Sequence, residues 1–263
     1  MKQYFSFLLL LLLFSTFISS ILSLSIHNIQ QNEPATTTQT TVSFNNYSLV
    51  IQFPKSLCDN PKYGRKCDGL WKLELPNKFT VHGLWPNFGS NREPAGPGVK
   101  LDVHQLITKD KILANNLYNS WPDVYFDSKG KGGTVKQNLK QQAAWEFWGR
   151  EWKKHGDLSG LSPEDYFRTT YSLYDDLENI YEDFKTNGLI NMQGRINVNL
   201  ASQRLEIILH GKPFIKCVTN KLNMELLAEI HIAYRRSDLM RLPHSDSKSR
   251  NHNCSSDIAY LRV

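Results

Sequence analysis

The sequence predicts an α+β fold: a single domain with a central antiparallel sheet and several flanking helices. Three observations carry this reading. Short β-rich runs come first, long stretches of helical periodicity fill the middle, and β-rich runs return at the end. Such segregation argues against an alternating, doubly wound sheet. At 263 residues, 40% hydrophobic and 21% charged, the chain suits one globular core rather than a disordered, coiled-coil or polytopic membrane protein. No internal repeat and no domain-separating linker follows residue 43.

The elements are justified in order. Lys2 precedes an apolar run, Phe7 to Phe14, which softens through Ser and Thr to Leu24, with small residues at Ser23 and Ser25. Residues 1–25 therefore read as a secretory signal peptide. An uncleaved anchor is the rival, because the stretch is nearly long enough to span a bilayer; Ser interrupts it and no basic cluster follows. Residues 26–43 are polar and Thr-rich, a flexible lead-in to a folded domain over 44–263. Strands are expected at Tyr47–Phe53 and Phe79–His82. Helices are expected over Leu101–Asn119, over Asn138–His155, and from Ser162-Pro163, where Pro suits a helix opening, to about Lys185. Lys129–Gly133 reads as a surface loop. Strands return at Arg204–His210, Pro213–Val218 and Leu226–Tyr234.

In an exported chain, four cysteines suggest two disulfides, and three pairings are open. The simplest is local, Cys58–Cys67 with Cys217–Cys254. A zinc site is the competing reading, but the spacings are those of neither a ribbon nor a finger. Sequons at Asn46 and Asn253 fit glycosylation during export. The net charge of +6 favours polyanions such as RNA, glycans or anionic membranes.

Two segments could do chemistry. In Phe79-Thr80-Val81-His82-Gly83-Leu84-Trp85-Pro86, strand alternation puts Phe79 and Val81 on one face and Thr80 and His82 on the other. Gly83 permits a close approach, and Trp85-Pro86 forms a rigid aromatic edge. In Trp145 to Gly156, Trp145, Trp148 and Trp152 make an apolar stripe at i, i+3 and i+7. Glu151 and His155 lie at i, i+4 beside it, with Arg150 and Lys154 one row further round. The bland reading is a solvated charged face; His155, in the last turn before Gly156, sits instead at the edge of the core.

Together these segments resemble the two active-site signatures of the ribonuclease T2 family, whose plant members include the S-type ribonucleases. Residues 79–86 match the first signature throughout, and residues 147–156 match the second except at Arg150, where most relatives have histidine. Gln52-Phe53-Pro54, Trp121-Pro122, Asp165-Tyr166-Phe167 and Ile215-Lys216-Cys217 extend the likeness along the mature chain. The resemblance implies cleavage of single-stranded RNA by two histidines, with His155 the base and His82 the acid, and Glu151 and Lys154 in support. It implies substrate contacts at Trp85, Asn87, Arg150 and Gln52, the last as readily structural. It implies no cofactor, no metal and no action on DNA, in a secreted or vacuolar monomer. Relatives carry a cysteine shortly after each signature; here those places read Asn87 to Ser90 and Asp157-Leu158. Another family cysteine, near Ala233, is also missing with its partner. Loss in pairs leaves no orphan thiol and favours the local pairing, but removes a tether from the His155 helix.

Two other function classes fit the same residues. A basic, pistil-type self-incompatibility glycoprotein would read a protein partner through surface loops such as 87–99 or 235–253. A descendant without catalysis would bind RNA or glycan; intact His82, Glu151, Lys154 and His155 argue against it, Arg150 and the missing bridge for it. His104, His210, His231, His244 and His252 fall into no functional pattern.

Overall fold

The structure is a computed structural model that describes residues 44–61, 67, 74–87, 98–126, 137–177, 179–242 and 252–262. The expected signal peptide, the lead-in and the Gly/Lys-rich loop lie outside the described residues, as do parts of both candidate recognition loops.

The architecture is α+β, with one mainly antiparallel sheet and helices around it. Strand β1 (Asn46–Gln52) is paired along its length with β2 (Thr80–Asn87) on one side and β5 (Glu225–Arg235) on the other. Strand β4 (Phe214–Thr219) and the short β6 (Arg241–Leu242) both pair with β5. Strands β3 (Arg195–Asn197) and β7 (Ile258–Tyr260) extend the sheet, β7 joining β5 through one parallel pairing, Leu226 with Tyr260. Along β1, Leu49 and Ile51 enter the core with Val81, Leu84 and Phe53. Period-2 alternation dictates this, since one face of the strand must meet the helical layer.

Helix boundaries follow side-chain caps that periodicity does not register. The single helix expected over Leu101–Asn119 is two, α2 (Val103–Ile107) and α3 (Lys111–Ser120), after the short α1 (Pro54–Cys58). Asp110 makes the break by accepting from the amides of Ile112 and Leu113, both at 3.0 Å. Helix α4 (Gln137–Glu151) runs directly into a π turn, Trp152–Gly156. The helix expected from Pro163 to Lys185 is likewise α5 (Pro163–Asp175) and α6 (Ile180–Thr186), the second capped by Asn179.

The expected strand Arg204–His210 is wrong: it is the second half of helix α7 (Val198–Leu209). The β-branched and Leu content suggested a strand, but Val198, Ala201, Ser202, Leu205 and Leu209 form a buried stripe at helical spacing. Asn197 caps the start, and His210, at φ 49°, ends the helix in the left-handed region. Both local disulfides are formed, Cys58–Cys67 and Cys217–Cys254, so no cysteine remains as a thiolate for zinc. No helix among the described residues is long and apolar enough to cross a membrane.

Candidate active site

The site forms where one face of the β2–β1–β5–β4 sheet meets the end of α4. It is shaped by two departures from regular geometry. On β2, Val50 pairs with Gly83 and Ile51 with Val81, so His82 is the extra residue of a β-bulge. A bulge resets the alternation of the strand after it. Regular pleating would send His82 and Trp85 to opposite faces. Here Val81, Leu84 and Pro86 are buried, while His82, Trp85 and Asn87 are half-buried. Gly83 belongs to the site face: a Cβ there would collide with the Glu151 carboxylate and lie 2.6 Å from Trp85 Nε1. The bulge is pinned from behind, where Trp121 Nε1 donates to His82 O at 2.8 Å and Trp148 Nε1 donates to Trp121 O at 2.9 Å.

The second departure is the π turn, closed by the Asp157 amide donating to Trp152 O at 2.9 Å. A π turn holds an extra residue and often marks a functional site. Gly156 makes room for it, since a Cβ would run into the Trp152 ring. Trp152 is buried against Tyr166, with ring centroids 5.6 Å apart. The turn carries His155 inward to 1% exposure and leaves Lys153 and Lys154 in solvent. Asp157, directly after the turn, accepts from the Val99 amide at 3.0 Å, a noncovalent tether from the turn to the segment before α2.

Trp85 joins the two halves. Its ring stacks on His155 at 4.7 Å and 18° between planes, and meets His82 edge-on at 5.1 Å. Its Nε1 donates to Glu151 Oε2 at 3.1 Å, and that oxygen lies 4.0 Å from His155 Nε2. Lys154 Nζ sits 5.7 Å from the Trp85 ring. On the far side, His82 Nδ1 lies 3.0 Å from Glu229 Oε1, and Lys216 Nζ and His231 Nε2 hold Glu229 Oε2 at 2.8 and 3.0 Å.

The two imidazoles are driven apart electrostatically. Burial, reinforced by Lys154 and His82, pushes His155 down to about 2, so it is neutral at any ordinary pH. His82 is raised: desolvation opposes its charge, but the Glu229 hydrogen bond and the negative charges of Glu229 and Glu151 outweigh that and the repulsion of Lys216. Glu229 lies well below the usual carboxylate range, its burial more than offset by His231 and His82.

Residues 44–254 match the model of the Ribonuclease T2 family. The chain belongs to the ribonuclease T2 family. It is 29% identical over 170 residues to Ribonuclease S-2 of Antirrhinum hispanicum, spanning 64% of this chain and only 60% of that relative. It is 28% identical over 214 residues to Ribonuclease S-7 of Nicotiana alata, spanning 77% and 83%. The fold matches RNase NT in complex with 5′-AMP at TM-score 0.65 and 19% identity, over 83% of this chain and 98% of that one. It also matches ribonuclease MC1 from the seeds of bitter gourd at TM-score 0.62 and 18% identity, over 82% and 100%. Family membership makes the chain an endoribonuclease.

In this ribonuclease, His82, His155, Glu151 and Trp85 converge, with Lys154 at the rim. Arg150 does not join them; it is solvent-exposed and bonded to the buried Asp123 at 3.2 Å. Asn87 stands at the end of β2, two residues from Trp85 on the same face. Gln52 shares that face, but it is 1% exposed and its amide donates to Val81 O at 3.1 Å, so it braces the strand beside the bulge. A cavity of about 780 Å³ runs along α4 past His104, Trp145 and Arg150 and excludes the histidine pair. The sequon at Asn46 opens the central strand, half-buried; Asn253 is exposed, with its Oδ1 accepting from the Cys217 amide at 2.7 Å.

Sequence reasoning missed Glu229, Lys216 and His231. A signal was present. Glu229 and His231 are alternate residues of a strand that is otherwise almost wholly apolar, and an acid at such a position has to be paired to be buried.

Proposed function

We propose that this protein cleaves single-stranded RNA by in-line attack of the ribose 2′-OH on the adjacent phosphate, leaving a 2′,3′-cyclic end. One observation carries the assignment of roles: the same site holds a histidine whose burial disfavours its charge and a histidine whose charge the carboxylates of Glu229 and Glu151 favour. Paired groups whose environments push their protonation apart are a signature of acid–base division of labour. His155, neutral, takes the proton from the 2′-OH. His82, protonated, delivers one to the 5′-oxygen as it leaves. Lys154 stabilises the charge growing on the phosphoryl oxygens, and Glu151 orients Trp85 and faces His155. Because the nucleophile is the ribose hydroxyl, DNA lacks the reacting group and no metal step is required.

Trp85 covers His155, so the ribose reaches the base only with the indole displaced. Displacement frees the ring face on which a base would stack, as single-stranded RNA does on aromatic side chains. Arg150 contributes a phosphate contact from outside the pair. Export through the N-terminal segment, and glycosylation at Asn46 or Asn253, belong to the same reading.

The test is cleavage of a single-stranded RNA oligonucleotide with EDTA present, across acidic to neutral pH, by the wild type and by His82→Ala and His155→Ala. The expected result is chelation-resistant cleavage to cyclic ends that both variants lose. Retention of full activity in either variant overturns the two-histidine assignment. A folded wild type without cleavage points to the recognition reading instead.

A further inference from the structure

We propose that Glu229, on β5 and outside both signatures, is the positioning residue of the acid. It accepts the Nδ1 proton of His82 and so leaves Nε2 as the nitrogen that gains and loses the catalytic proton. This inference rests on the proposed two-histidine mechanism and goes beyond it to a second layer built on β4 and β5.

The geometry follows from sheet register. Glu229 is opposite Gln52 on β1 and Lys216 on β4, while His231 is opposite Val50 and Phe214. Residues opposed in register share a face, so Glu229, His231, Lys216 and Gln52 stand on the site side of the sheet. β1 separates β5 from β2, and the ring of His82, displaced on its bulge, crosses the gap to reach Glu229 Oε1 at 3.0 Å. An ionised carboxylate only accepts hydrogen bonds, so Nδ1 must be the protonated nitrogen in this pair. The other oxygen, Oε2, receives Lys216 Nζ and His231 Nε2. The carboxylate is 2% exposed, and these donors keep it ionised and fixed in place.

The same arrangement sets the sign of each charge at His82. Glu229 and Glu151 favour its protonated form, and Lys216 opposes it. His231, from β5, and His155 and Lys154, from the π turn, complete the titratable and charged groups around the Trp85 ring that His82 meets. The acid must be protonated, so the fall in activity at high pH tracks His82. Loss of the Glu229 charge moves that fall to lower pH. Loss of the Lys216 charge moves it to higher pH. A merely structural pair of residues would not shift it in opposite directions.

The experiment compares purified wild type with Glu229→Gln, Lys216→Met and His82→Ala, measuring kcat and KM on a single-stranded RNA oligonucleotide against pH. Glu229→Gln is expected to fold and to lose roughly 10²-fold in kcat, within the range acid–base groups contribute, with KM little changed. Its high-pH limb moves down, while that of Lys216→Met moves up. An inactive His82→Ala beside a Glu229→Gln with wild-type kcat and limb overturns the positioning role alone. An active His82→Ala overturns the mechanism on which it rests. Should Glu229→Gln not fold, ¹⁵N NMR of His82 in the wild type decides: a neutral ring protonated at Nδ1 supports the inference, and one protonated at Nε2 overturns it.

Discussion

The burial of His155 should make this enzyme acid-sensitive by an amount the structure specifies. His155 titrates near 6.5 in an unfolded chain but at about 2 where it stacks under Trp85. Below pH 6.5 the unfolded state therefore binds a proton that the native state refuses. Stability must fall with pH through this window, by about 1.4 kcal/mol per unit once the unfolded histidine is fully charged. Between about pH 7 and pH 5 the loss from this one group is about 2 kcal/mol. His82, raised in the native state, acts with the opposite sign near pH 7, where its stabilisation fades as pH rises. The stabilisation from Glu229 is fully present above the usual carboxylate range and is lost only as pH falls below it, outside this window. Replacing His155 by Phe preserves an aromatic ring against Trp85 and removes the titration, while the other groups are common to both proteins. Urea unfolding followed by tryptophan fluorescence should show the wild type losing about 2 kcal/mol more than His155→Phe over that window. With slopes of about 1–3 kcal/mol/M, this is a midpoint difference of roughly 0.7–2 M. Equal pH dependence in the two proteins would refute the claim that His155 is buried neutral.

Two further outcomes follow from the same structure. Arg150→Ala removes the cation that lowers the buried Asp123, whose carboxyl burial already raises; the variant should melt below the wild type at neutral pH, with the gap closing as Asp123 takes a proton, and a gap independent of pH would sink the pairing. Replacing Cys217 and Cys254 together by Ser opens a bridge spanning 37 residues, worth about 4 kcal/mol on loop entropy against about 2.6 for the 9-residue Cys58–Cys67 loop; denaturant titration should rank the double variants in that order.

Much of this protein was legible before any coordinates. Short β-rich runs located β1, β4 and β5 to within a residue or two, because strands buried on both faces read as nearly continuous apolar segments. The Trp stripe of α4 and the π turn was legible from helical spacing, and the local disulfide pairing was the simplest of the three that were open. Element ends were not: Asp110 and Asn179 open new helices through side-chain bonds that a hydrophobic pattern does not record. The segment Arg204–His210 misled because β-branched content is a weaker determinant than the stripe it belongs to, which begins at Val198.

At the site, sequence alone determined which chemistry is on offer: His82, Glu151, Lys154 and His155 in two long signatures, with Gly83 and Gly156 where a side chain would collide. The tertiary structure decided where each group sits and what surrounds it. A bulge re-aims His82, a π turn draws His155 inward, and register carries Glu229 to His82 across an intervening strand. These are long-range facts. Protonation depends on burial and on charges brought together from residues 82, 151, 155, 216 and 229, and only the folded chain brings them together.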